Sequence, residues 1–440
     1  MAHPVVDKVR EAGVIGAGGA GFPTYVKLGA RVDTYIANAA ECEPLLYKDR
    51  ELMKRHAEEV IRGLRIGMEA TGATRGVIAI KKKNKEAIAA LTRFARADIS
   101  FHLYENFYPA GDEYVIVYDV MGRLIPPGGI PLDVGCVVNN VETLLNIARA
   151  VDGGIPVTHT WLTVAGCVHE PVSARVPVGV TAREVLSLAG GATVEDPVLL
   201  DGGAMMGKVL TDLDTPITKT SGGFIVLPRA HKLIARKTAP METKVQISKS
   251  ACDQCMYCTE FCPRFLLGYA IEPHKVMRSV GFAGESELGW AQMGLQCCEC
   301  SICDLYACPE DLPPKDMCIR SKGIWRMLAE KPAPLPSKGE VHPMRDSRRV
   351  PIPALVRRLG LEDWDVDAPL TERALEPSRV RIMLQQHIGA PATPIVAVGD
   401  AVAAGQKIGA APEGKLGLPV HASIAGRVTR IDDKSIWVER

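Results

Sequence analysis

Cysteines with the spacing of metal-cluster ligands are concentrated in one stretch of the chain, between residues 252 and 309. Nine of the thirteen cysteines lie there, and eight of them form two runs in which two residues separate most neighbours. Each run ends in a Cys-Pro pair, at Pro263 and at Pro309. Runs of this kind supply the four thiolates that a 4Fe–4S cluster requires.

The spacing predicts two 4Fe–4S clusters with exchanged ligands, because the fourth cysteine of each run serves the other cluster in two-cluster ferredoxins. The first cluster would use Cys252, Cys255, Cys258 and Cys308, and the second would use Cys297, Cys300, Cys303 and Cys262. The second run has four residues before its last cysteine instead of three, and Cys298 could replace Cys297. Structural zinc sites need only Cys-x-x-Cys pairs. Disulfides are disfavoured because the first 30 residues lack a signal-peptide layout.

The composition indicates several α/β domains. The 440 residues suffice for about three domains. A hydrophobic content of 47%, an aromatic content of 5% and 41 glycines are typical of α/β folds with many tight turns. The net charge of +1 gives no electrostatic case for nucleic acid. No apolar run reaches the roughly 18 residues of a membrane span. Thiols and iron–sulfur ligation predict a reducing cytoplasm.

A glycine-rich loop, Gly16-Ala-Gly-Gly-Ala-Gly21, lies near the start of the chain. Because glycines lack Cβ atoms, the amides of such a loop can approach a phosphate or a ring closely. Lys27 could then meet a phosphate as a point charge. An ordinary glycine turn remains the alternative, since only Val14 and Ile15 offer a strand before the loop.

Polar residues follow apolar segments in the next part of the chain. We expect strands at 32–37, 76–80 and 99–103, and helices at 5–11, 52–69, 85–97 and 144–151. Asn38 and Glu41 follow the first strand, and Asn139-Asn140 follow another apolar run. Strand ends of open α/β sheets commonly contact ligands, although the same residues could cap helices. The lysines at 81–83 are expected to be solvated, or else to attract anionic NADH.

Four separated motifs resemble one known superfamily. They are Gly16-Ala-Gly-Gly-Ala-Gly-Phe-Pro-Thr, Asn38-x-x-Glu-x-Glu-Pro, Tyr108-x-x-Gly-Asp-Glu and Val138-Asn-Asn-Val-Glu-Thr. Their order resembles the FMN- and NADH-binding subunit of respiratory complex I and, more closely, the RnfC subunit of ion-translocating ferredoxin:NAD oxidoreductases. Ala17 stands where complex I usually has Arg.

The resemblance implies an FMN site and an adjoining NADH site. The residues that inherit FMN contacts are Gly16, Gly18, Gly19, Lys27, Asn38, Glu41, Tyr108, Gly111, Glu113, Asn139, Asn140 and Thr143. Phe22 and Glu43 match positions that meet NADH. No side chain is expected to act as acid, base or nucleophile, because the cofactors carry the chemistry.

Later segments resemble further modules of the same proteins. Residues 160–188 are similar to the β-grasp SLBB domain, a structural module for which cobalamin contact is the alternative. The last 60 residues are similar to the barrel-sandwich hybrid of biotinyl and lipoyl carriers. Lys415 at the tip of that module lacks the sequence context of a modified lysine. Cys42, Cys136, Cys167 and Cys318 are expected to be plain thiols without a ligand partner nearby.

The expected fold is a multidomain α/β protein. It comprises a Rossmann-like FMN- and NADH-binding α/β domain (1–153), a β-grasp SLBB domain (154–235), a helical ferredoxin-like domain with two 4Fe–4S clusters (236–330), a linker with a short helix (331–380) and an all-β barrel-sandwich hybrid (381–440). This order resembles PduS-type cobalamin reductases of propanediol-utilising microcompartments.

The resemblance implies an oxidoreductase that passes electrons from NADH through FMN and two 4Fe–4S clusters to cobalamin, giving cob(I)alamin. The alternative is an RnfC-like peripheral subunit that hands electrons to a partner protein. The expected partners are a corrinoid, a cobalamin adenosyltransferase or a microcompartment shell protein, and further copies of the chain. A cytoplasmic location, within a bacterial microcompartment, is implied.

Overall fold

The computed structural model describes residues 4–282, 289–327 and 335–440. Within these ranges, no helix combines the length and the apolar character that crossing a membrane requires. Five regions follow one another along the chain: a parallel α/β unit, a mixed sheet, a helical cysteine-bearing region, a connecting segment and a pair of small sheets. The proline-rich linker predicted at 332–336 falls partly outside the described residues.

The first unit is a parallel sheet covered by helices. Its helices are α1 (Pro4–Glu11), α2 (Thr24–Leu28), α3 (Lys48–Arg55), α4 (Ala57–Thr71), α5 (Lys85–Thr92), α6 (Glu113–Met121) and α7 (Val141–Gly153). Its strands are β1 (Thr34–Ala39), β2 (Arg75–Lys81), β3 (Ile99–Tyr104), β4 (Phe107–Tyr108) and β5 (Cys136–Asn140). The sheet order is β3-β2-β1-β5, with every pair parallel. The predicted α/β class is confirmed.

The central strands are apolar on both faces because helices cover both faces, as in other parallel sheets. Two glycines of α4 allow close packing there. A Cβ at Gly63 would lie 1.8 Å from the carbonyl oxygen of Leu144 on α7, and one at Gly67 would lie 2.4 Å from the Tyr35 ring on β1. These glycines therefore set how closely α4 approaches the sheet and α7.

Three predictions for this unit are wrong. The helix predicted at 85–97 ends at Thr92. The helix predicted at 52–69 is divided into α3 and α4 at His56, whose φ of −123° and ψ of 31° are not helical. Lys81, predicted to be solvated, is the last residue of β2 and is only 2% exposed. Burial lowers the pKa of Lys81 to about 8. Its neighbours Lys82 and Lys83 are exposed, as expected for the end of a strand.

The second unit is a mixed five-stranded sheet with one helix between its second and third strands in the sequence. Its elements are β6 (His159–Gly166), β7 (Val172–Pro177), α8 (Ala182–Leu188), β8 (Pro197–Asp201), β9 (Lys208–Leu210) and β10 (Gly223–Pro228). The sheet order is β7-β6-β10-β8-β9, in which only β6 and β10 run parallel. Thr181 and Glu184 form a capping box at the start of α8.

The cysteine region is helical. Its helices are α9 (Lys232–Thr238), α10 (Met241–Ala251), α11 (Tyr257–Glu260), α12 (Pro263–Leu266), α13 (Pro273–Phe282) and α14 (Pro314–Met327). A 3-10 segment spans Ala291–Gln296, and a π-helical turn spans Cys303–Ala307. Val276, Met277, Met317 and Cys318 form part of its small core. Much of the rest of the region consists of loops that present the cysteines.

The chain then returns to the first unit before it ends in two small sheets. Strand β11 (Val350–Pro351) pairs antiparallel with β4 and precedes α15 (Ile352–Leu359). The final strands are β12 (Arg379–Met383), β13 (Thr393–Pro394), β14 (Ala401–Val402), β15 (Lys407–Ala410), β16 (Val420–His421), β17 (Gly426–Ile431) and β18 (Ser435–Glu439). They form sheets of order β12-β18-β17-β14 and β13-β15-β16 around one shared core. The predicted all-β module is confirmed.

Candidate functional site

A cavity of about 330 Å³ lies where β1 and β5 end. Its position matches the rule that ligands of open α/β sheets bind at the carboxyl ends of strands. Its size falls within the range of about 300–1,000 Å³ for small-molecule sites. Nine of the fourteen residues predicted to contact FMN or NADH line it, namely Gly16, Gly18, Phe22, Lys27, Asn38, Gly111, Glu113, Asn139 and Asn140. We call this space the flavin cavity.

The glycine loop forms one wall of the flavin cavity. Two hydrogen bonds close the loop: the Gly16 amide donates to the Phe22 carbonyl at 2.9 Å, and the Gly21 amide donates to the Gly16 carbonyl at 3.2 Å. A Cβ at Gly18 would lie 3.6 Å from Cβ of Asn140, in space that a ligand would use. Gly19 has a φ of +100°, a conformation that favours glycine. The loop thus fits a phosphate or ring that approaches its backbone.

Lys27 provides a cation inside the flavin cavity. Its Nζ donates to Glu113 Oε1 at 3.1 Å and to the Val138 carbonyl at 2.8 Å. It also lies 5.8 Å from the centre of the Phe22 ring. A lysine held in this way can meet a phosphate as a localised positive charge. The donor set therefore fits the phosphate of FMN.

Three asparagines at the ends of β1 and β5 form another part of the flavin cavity lining. Asn38 donates through Nδ2 to the Gly111 carbonyl at 3.0 Å, which fixes the turn before α6. Asn139 donates to the hydroxyl of Tyr35 at 2.6 Å. Asn140 caps α7, because its Oδ1 accepts from the Glu142 amide at 2.9 Å. The capping role that the sequence left open is thus real for Asn140, although the residue also lines the cavity.

Five predicted contact residues lie outside the cavity lining, and each has another role in the structure. Thr143 Oγ1 accepts from the Ala17 amide at 2.9 Å, behind the glycine loop. Glu41 accepts from the amides of Asp49 and Arg50 at the start of α3. Glu43 accepts from the amides of Met205 and Met206 in the second unit, at 2.8 and 2.9 Å. Tyr108 lies against the cysteine region, and Gly19 contributes its backbone conformation.

A buried ion network behind the cavity was not predicted from the sequence. Lys48 Nζ contacts Glu142 Oε2 at 2.5 Å and Asp49 Oδ1 at 3.2 Å, and Asn140 donates to Asp49 Oδ2 at 2.6 Å. Burial raises the pKa of Glu142, and the Lys48 charge opposes that rise. Glu142 also accepts from Thr160 of the second unit at 3.0 Å. The network therefore fixes the start of α7, and with it Asn140.

The structure brings the first predicted cysteine group together in one place. Cys252, Cys255, Cys258 and Cys308 line one small pocket with His274 and Met277. The Leu312 amide donates to Cys308 Sγ at 3.3 Å, and Gln254 Nε2 donates to Cys252 Sγ at 3.0 Å. Hydrogen bonds to sulfur suit thiolate ligands of a cluster. The four thiols fit a 4Fe–4S cluster in chemistry and number.

The second cysteine group gathers around Cys262. Burial raises the pKa of Cys262, and the charges of the nearby Cys298 and Cys297 raise it further. Cys300 and Cys303 belong to the same group, because the Cys262 charge adds to the rise in the pKa of each. Among the residues that the structure describes, no three His, Cys, Asp or Glu side chains are arranged to hold a single metal ion. A 4Fe–4S cluster differs from such an ion because each thiolate binds a different iron.

Two further thiols, those of Cys298 and Cys318, lie near the second group. A hydrogen bond from Cys300 lowers the pKa of Cys298, although burial opposes this effect. Cys298 also contacts Arg264. Cys318, expected to have no ligand partner nearby, is buried on α14 with its thiol hydrogen-bonded to Cys297. That expectation is wrong because α14 folds back over the second cysteine run.

The second cysteine group packs against the first unit. The hydroxyl of Tyr108 donates to the Cys300 carbonyl at 2.8 Å. Arg264, which follows Cys262-Pro263, pairs with Asp112 Oδ2 at 2.9 Å beside the flavin cavity. Burial opposes a charge on Arg264, but the Asp112 carboxylate holds its pKa above the ordinary value. A short path of packed groups therefore joins the flavin cavity to this cysteine group.

Comparison with family models assigns three segments of the chain. Residues 9–149 match the Nuo51 FMN-binding domain, residues 251–313 match a 4Fe–4S dicluster domain, and residues 367–439 match the RnfC barrel sandwich hybrid domain. The first segment contains every residue that lines the flavin cavity except Ile388, and the second contains both cysteine groups.

Three curated relatives show how far the similarity extends. Cobalamin reductase PduS of Citrobacter freundii is 46% identical over 440 residues, which cover 100% of this chain and 97% of that protein. Cobalamin reductase PduS of Salmonella typhimurium is 44% identical over 442 aligned positions, with the same coverage. One protein of the Na(+)-translocating ferredoxin:NAD(+) oxidoreductase complex of Acetobacterium woodii is 33% identical over 269 residues, covering 60% of this chain and 58% of that protein.

Proposed function

The chain belongs to the family of cobalamin reductases named PduS, and we propose that it oxidises NADH and delivers the electrons to a corrinoid. NADH releases two electrons and one proton as it becomes NAD+. Hydroxocobalamin takes up both electrons to become cob(I)alamin, and its hydroxide leaves with the proton as water. When bound, FMN would supply a hydride acceptor and the 4Fe–4S clusters would supply one-electron carriers, which together would couple a two-electron donor to one-electron transfer.

The residues of the flavin cavity bind and orient in this proposal. Gly16 and Gly18 let the backbone approach the flavin phosphate, and Lys27 neutralises part of its charge. Asn38 and Asn139, which line the cavity, are assigned to the ring and its side chain. Their Nδ2 groups also donate to the Gly111 carbonyl and the Tyr35 hydroxyl, which hold both side chains in place. Phe22 and Glu43 are assigned to NADH. Glu43 is held by two amides of the second unit, so it would place the dinucleotide at the junction of the two units.

The contact between Tyr108 and Cys300 carries the proposal. It joins a residue of the flavin motifs directly to a backbone carbonyl of the second cysteine group. Electrons that leave the flavin cavity would therefore reach the second group first and the first group afterwards. The proposed ligands are Cys262, Cys297, Cys300 and Cys303 for the second cluster, and Cys252, Cys255, Cys258 and Cys308 for the first.

Cys297 is preferred over Cys298 as a ligand. The Glu299 amide donates to Cys297 Sγ at 3.3 Å, an interaction suited to a ligand thiolate. The Cys298 thiol instead forms hydrogen bonds with the Cys300 thiol and the Arg264 side chain. We assign Cys298 to the packing against the apolar cluster that includes Leu45 and Tyr108 of the first unit.

Finer assignments rest on the sequence resemblance. We propose that residues 154–235 are an SLBB domain of β-grasp type, which the mixed sheet with the single helix α8 supports. A cobalamin adenosyltransferase or a shell protein as partner, and a location within a bacterial microcompartment, also belong to this proposal.

The experiment uses anaerobically purified protein reconstituted with FMN and iron–sulfur clusters. NADH and hydroxocobalamin are added without any other protein, and the corrinoid spectrum is followed. We expect NADH-dependent formation of cob(I)alamin. Reduction of viologen or ferricyanide without any reduction of corrinoid would instead favour the alternative of an RnfC-like role within a larger complex, which the similarity to the Acetobacterium woodii protein motivates.

A further inference from the structure

A second cavity, of about 520 Å³, lies beside the cysteine groups. Its walls come from the loop before β9, from α9 and α10, from the cysteine loops and from α14. Of the described residues that line it, none also lines the flavin cavity. We propose that this cavity, called the acceptor cavity below, binds the corrinoid that receives the electrons. The inference rests on the proposed function and adds the place where the substrate binds.

One residue that lines the acceptor cavity contacts the first cysteine group, and another contacts the second. Leu312 lines it, and the Leu312 amide donates to Cys308 Sγ at 3.3 Å. Glu299 lines it as well, and the Glu299 amide donates to Cys297 Sγ at 3.3 Å. A molecule in this cavity would thus be separated from a sulfur of either group by one residue. Such proximity suits an electron acceptor and would have no purpose for a purely structural ligand.

A third contact strengthens the relation to the second group. Asp304 lines the acceptor cavity, and its Oδ1 lies 3.6 Å from Cys303 Sγ. Burial raises the pKa of Asp304 to about 6, although the nearby Lys315 charge opposes that rise. The cavity wall nearest to the cysteines is therefore polar, and the Asp304 carboxylate in it already contacts Cys303 and Lys315.

The outer walls are aliphatic. Ile247 on α10 and Ile319 on α14 line the cavity while 48% and 37% exposed, and Val209 and Leu305 line it deeper. Exposed aliphatic side chains beside an open cavity commonly mark a binding surface. A corrin macrocycle has an apolar face, so it could insert one edge and cover Ile247 and Ile319 with the remainder.

Cations near the floor complement the anionic part of a corrinoid. Lys237 donates to the Met205 and Gly207 carbonyls at 3.0 and 2.7 Å. Burial and the nearby Lys315 charge lower the pKa of Lys237 to about 8, and the Glu43, Asp304 and Asp316 carboxylates oppose that lowering. Lys208, which is exposed, lines the same side. A cobalamin carries one phosphodiester, and these lysines offer it a positively charged partner.

The position also separates donor and acceptor. NADH is assigned to the flavin cavity and to Glu43, whereas the corrinoid would bind in the acceptor cavity beside the cysteine groups. Met206 lines the acceptor cavity, and its amide donates to Glu43 at 2.9 Å. Met205 lies between the two places, because its amide bonds Glu43 while its carbonyl accepts from Ser301 and Lys237. Donor and acceptor can therefore be bound at the same time.

The test places a carboxylate on the aliphatic wall with Ile247→Glu, and Ile319→Glu repeats the change on α14. Ile155→Glu is the matched control, because Ile155 is 49% exposed and does not line the cavity. The holoprotein is dialysed against hydroxocobalamin to obtain a dissociation constant. NADH-dependent ferricyanide reduction is measured in parallel.

We expect each cavity variant to weaken hydroxocobalamin binding about tenfold or more, since one charge buried against an apolar face costs more than about 1.4 kcal/mol. Ferricyanide reduction should stay unchanged, and Ile155→Glu should behave like the unmodified chain. Unchanged corrinoid binding in both cavity variants would overturn the cavity assignment while leaving the proposed function intact. If the unmodified protein binds hydroxocobalamin in this cavity but NADH never reduces it, the proposed function fails and the site assignment stands. No binding to the unmodified holoprotein would overturn the site.

Discussion

The hydroxyl group of Tyr108 donates a hydrogen bond to the carbonyl oxygen of Cys300 at 2.8 Å, in a contact that is almost fully buried. Tyr108 belongs to β4, which closely follows β3, and Cys300 belongs to the second cysteine run. The contact spans 192 positions of sequence. It holds β4 of the first unit against the second cysteine run, and the distance between donor and acceptor groups controls how fast electrons pass.

Tyr108→Phe should slow electron transfer into the cysteine region. The Cys300 carbonyl would lose its donor in a buried place, which costs about 1–3 kcal/mol of folding free energy. Since misplacement by about 1 Å can cost up to roughly 10²-fold in rate, we expect cluster reduction by NADH to slow about tenfold. Stopped-flow absorbance measures flavin and cluster reduction separately, and flavin reduction should keep its rate.

Tyr269→Phe is the control for that variant. Tyr269 is equally buried and also joins the cysteine region to the first unit, because its hydroxyl donates to the Ile125 carbonyl at 2.6 Å, but this bond does not involve the Cys300 carbonyl. It should lose similar stability without slowing cluster reduction. Equal slowing in both variants would show that general destabilisation, and not the link to Cys300, determines the rate.

Lys27→Met should weaken FMN binding. The charged hydrogen bond that Lys27 would make to the flavin phosphate is worth about 1.5–3 kcal/mol, so the dissociation constant should rise about 10- to 100-fold. Quenching of flavin fluorescence on titration into apoprotein measures this constant. Lys27→Arg, which keeps the charge, should lose less, and Lys82→Met at an exposed position should lose nothing. Unaltered FMN affinity in Lys27→Met would remove this lysine from the site.

Cysteine replacements should distinguish ligands from neighbours. Cys308→Ser should lose about four of the roughly eight irons expected for two clusters, because Cys308 lies with the first cysteine group. Cys318→Ser should keep all of the irons, since Cys318 interacts with the ligand Cys297 through a hydrogen bond and is not itself assigned as a ligand. Iron analysis with electron paramagnetic resonance of the reduced protein counts the clusters. Loss of a cluster in Cys318→Ser together with its retention in Cys297→Ser would make Cys318 the ligand.

The stability of the chain should depend on pH through Lys219. This side chain is 4% exposed, it donates to the Gly13 carbonyl at 2.8 Å, and burial lowers its pKa from 10.5 to about 7. Between these two pH values the unfolded chain holds a proton that the folded chain lacks, so the free energy of unfolding rises as pH rises and declines as pH falls toward 7.

Urea unfolding across that interval measures the slope. Lys219→Met should reduce the slope by up to about 1.4 kcal/mol per pH unit, whereas Lys415→Met, at an exposed position, should leave it unchanged. An identical slope in Lys219→Met and the unmodified chain would mean that Lys219 stays charged when folded.

Local sequence patterns predicted the elements well. Strands β1, β2 and β3 lie within two residues of the predicted spans, because apolar runs bounded by turns specify buried strands. The break at His56 was missed because neither glycine nor proline marks it. Lys81 was misjudged because a run of lysines gives no sign that its first member still belongs to a strand.

Long-range relations needed the structure. The glycine loop and the asparagines were identified by motif, yet the motifs do not show that Ile388 of the last unit also lines the flavin cavity. Cys318 has no spacing that relates it to Cys297, and only the course of α14 brings the two thiols together. The acceptor cavity combines residues from 206 to 319. Such sites depend on packing between distant elements, which local periodicity does not encode.

The central claim is that electrons pass from NADH through the flavin cavity and the two cysteine groups to a corrinoid. Rapid mixing of anaerobic holoprotein and hydroxocobalamin with NADH, followed by rapid-scanning absorbance, tests it most directly. The claim predicts that flavin absorbance decreases first, cluster absorbance second, and that cob(I)alamin appears last. Formation of cob(I)alamin while the clusters stay oxidised, or reduced clusters beside unchanged corrinoid, would contradict it.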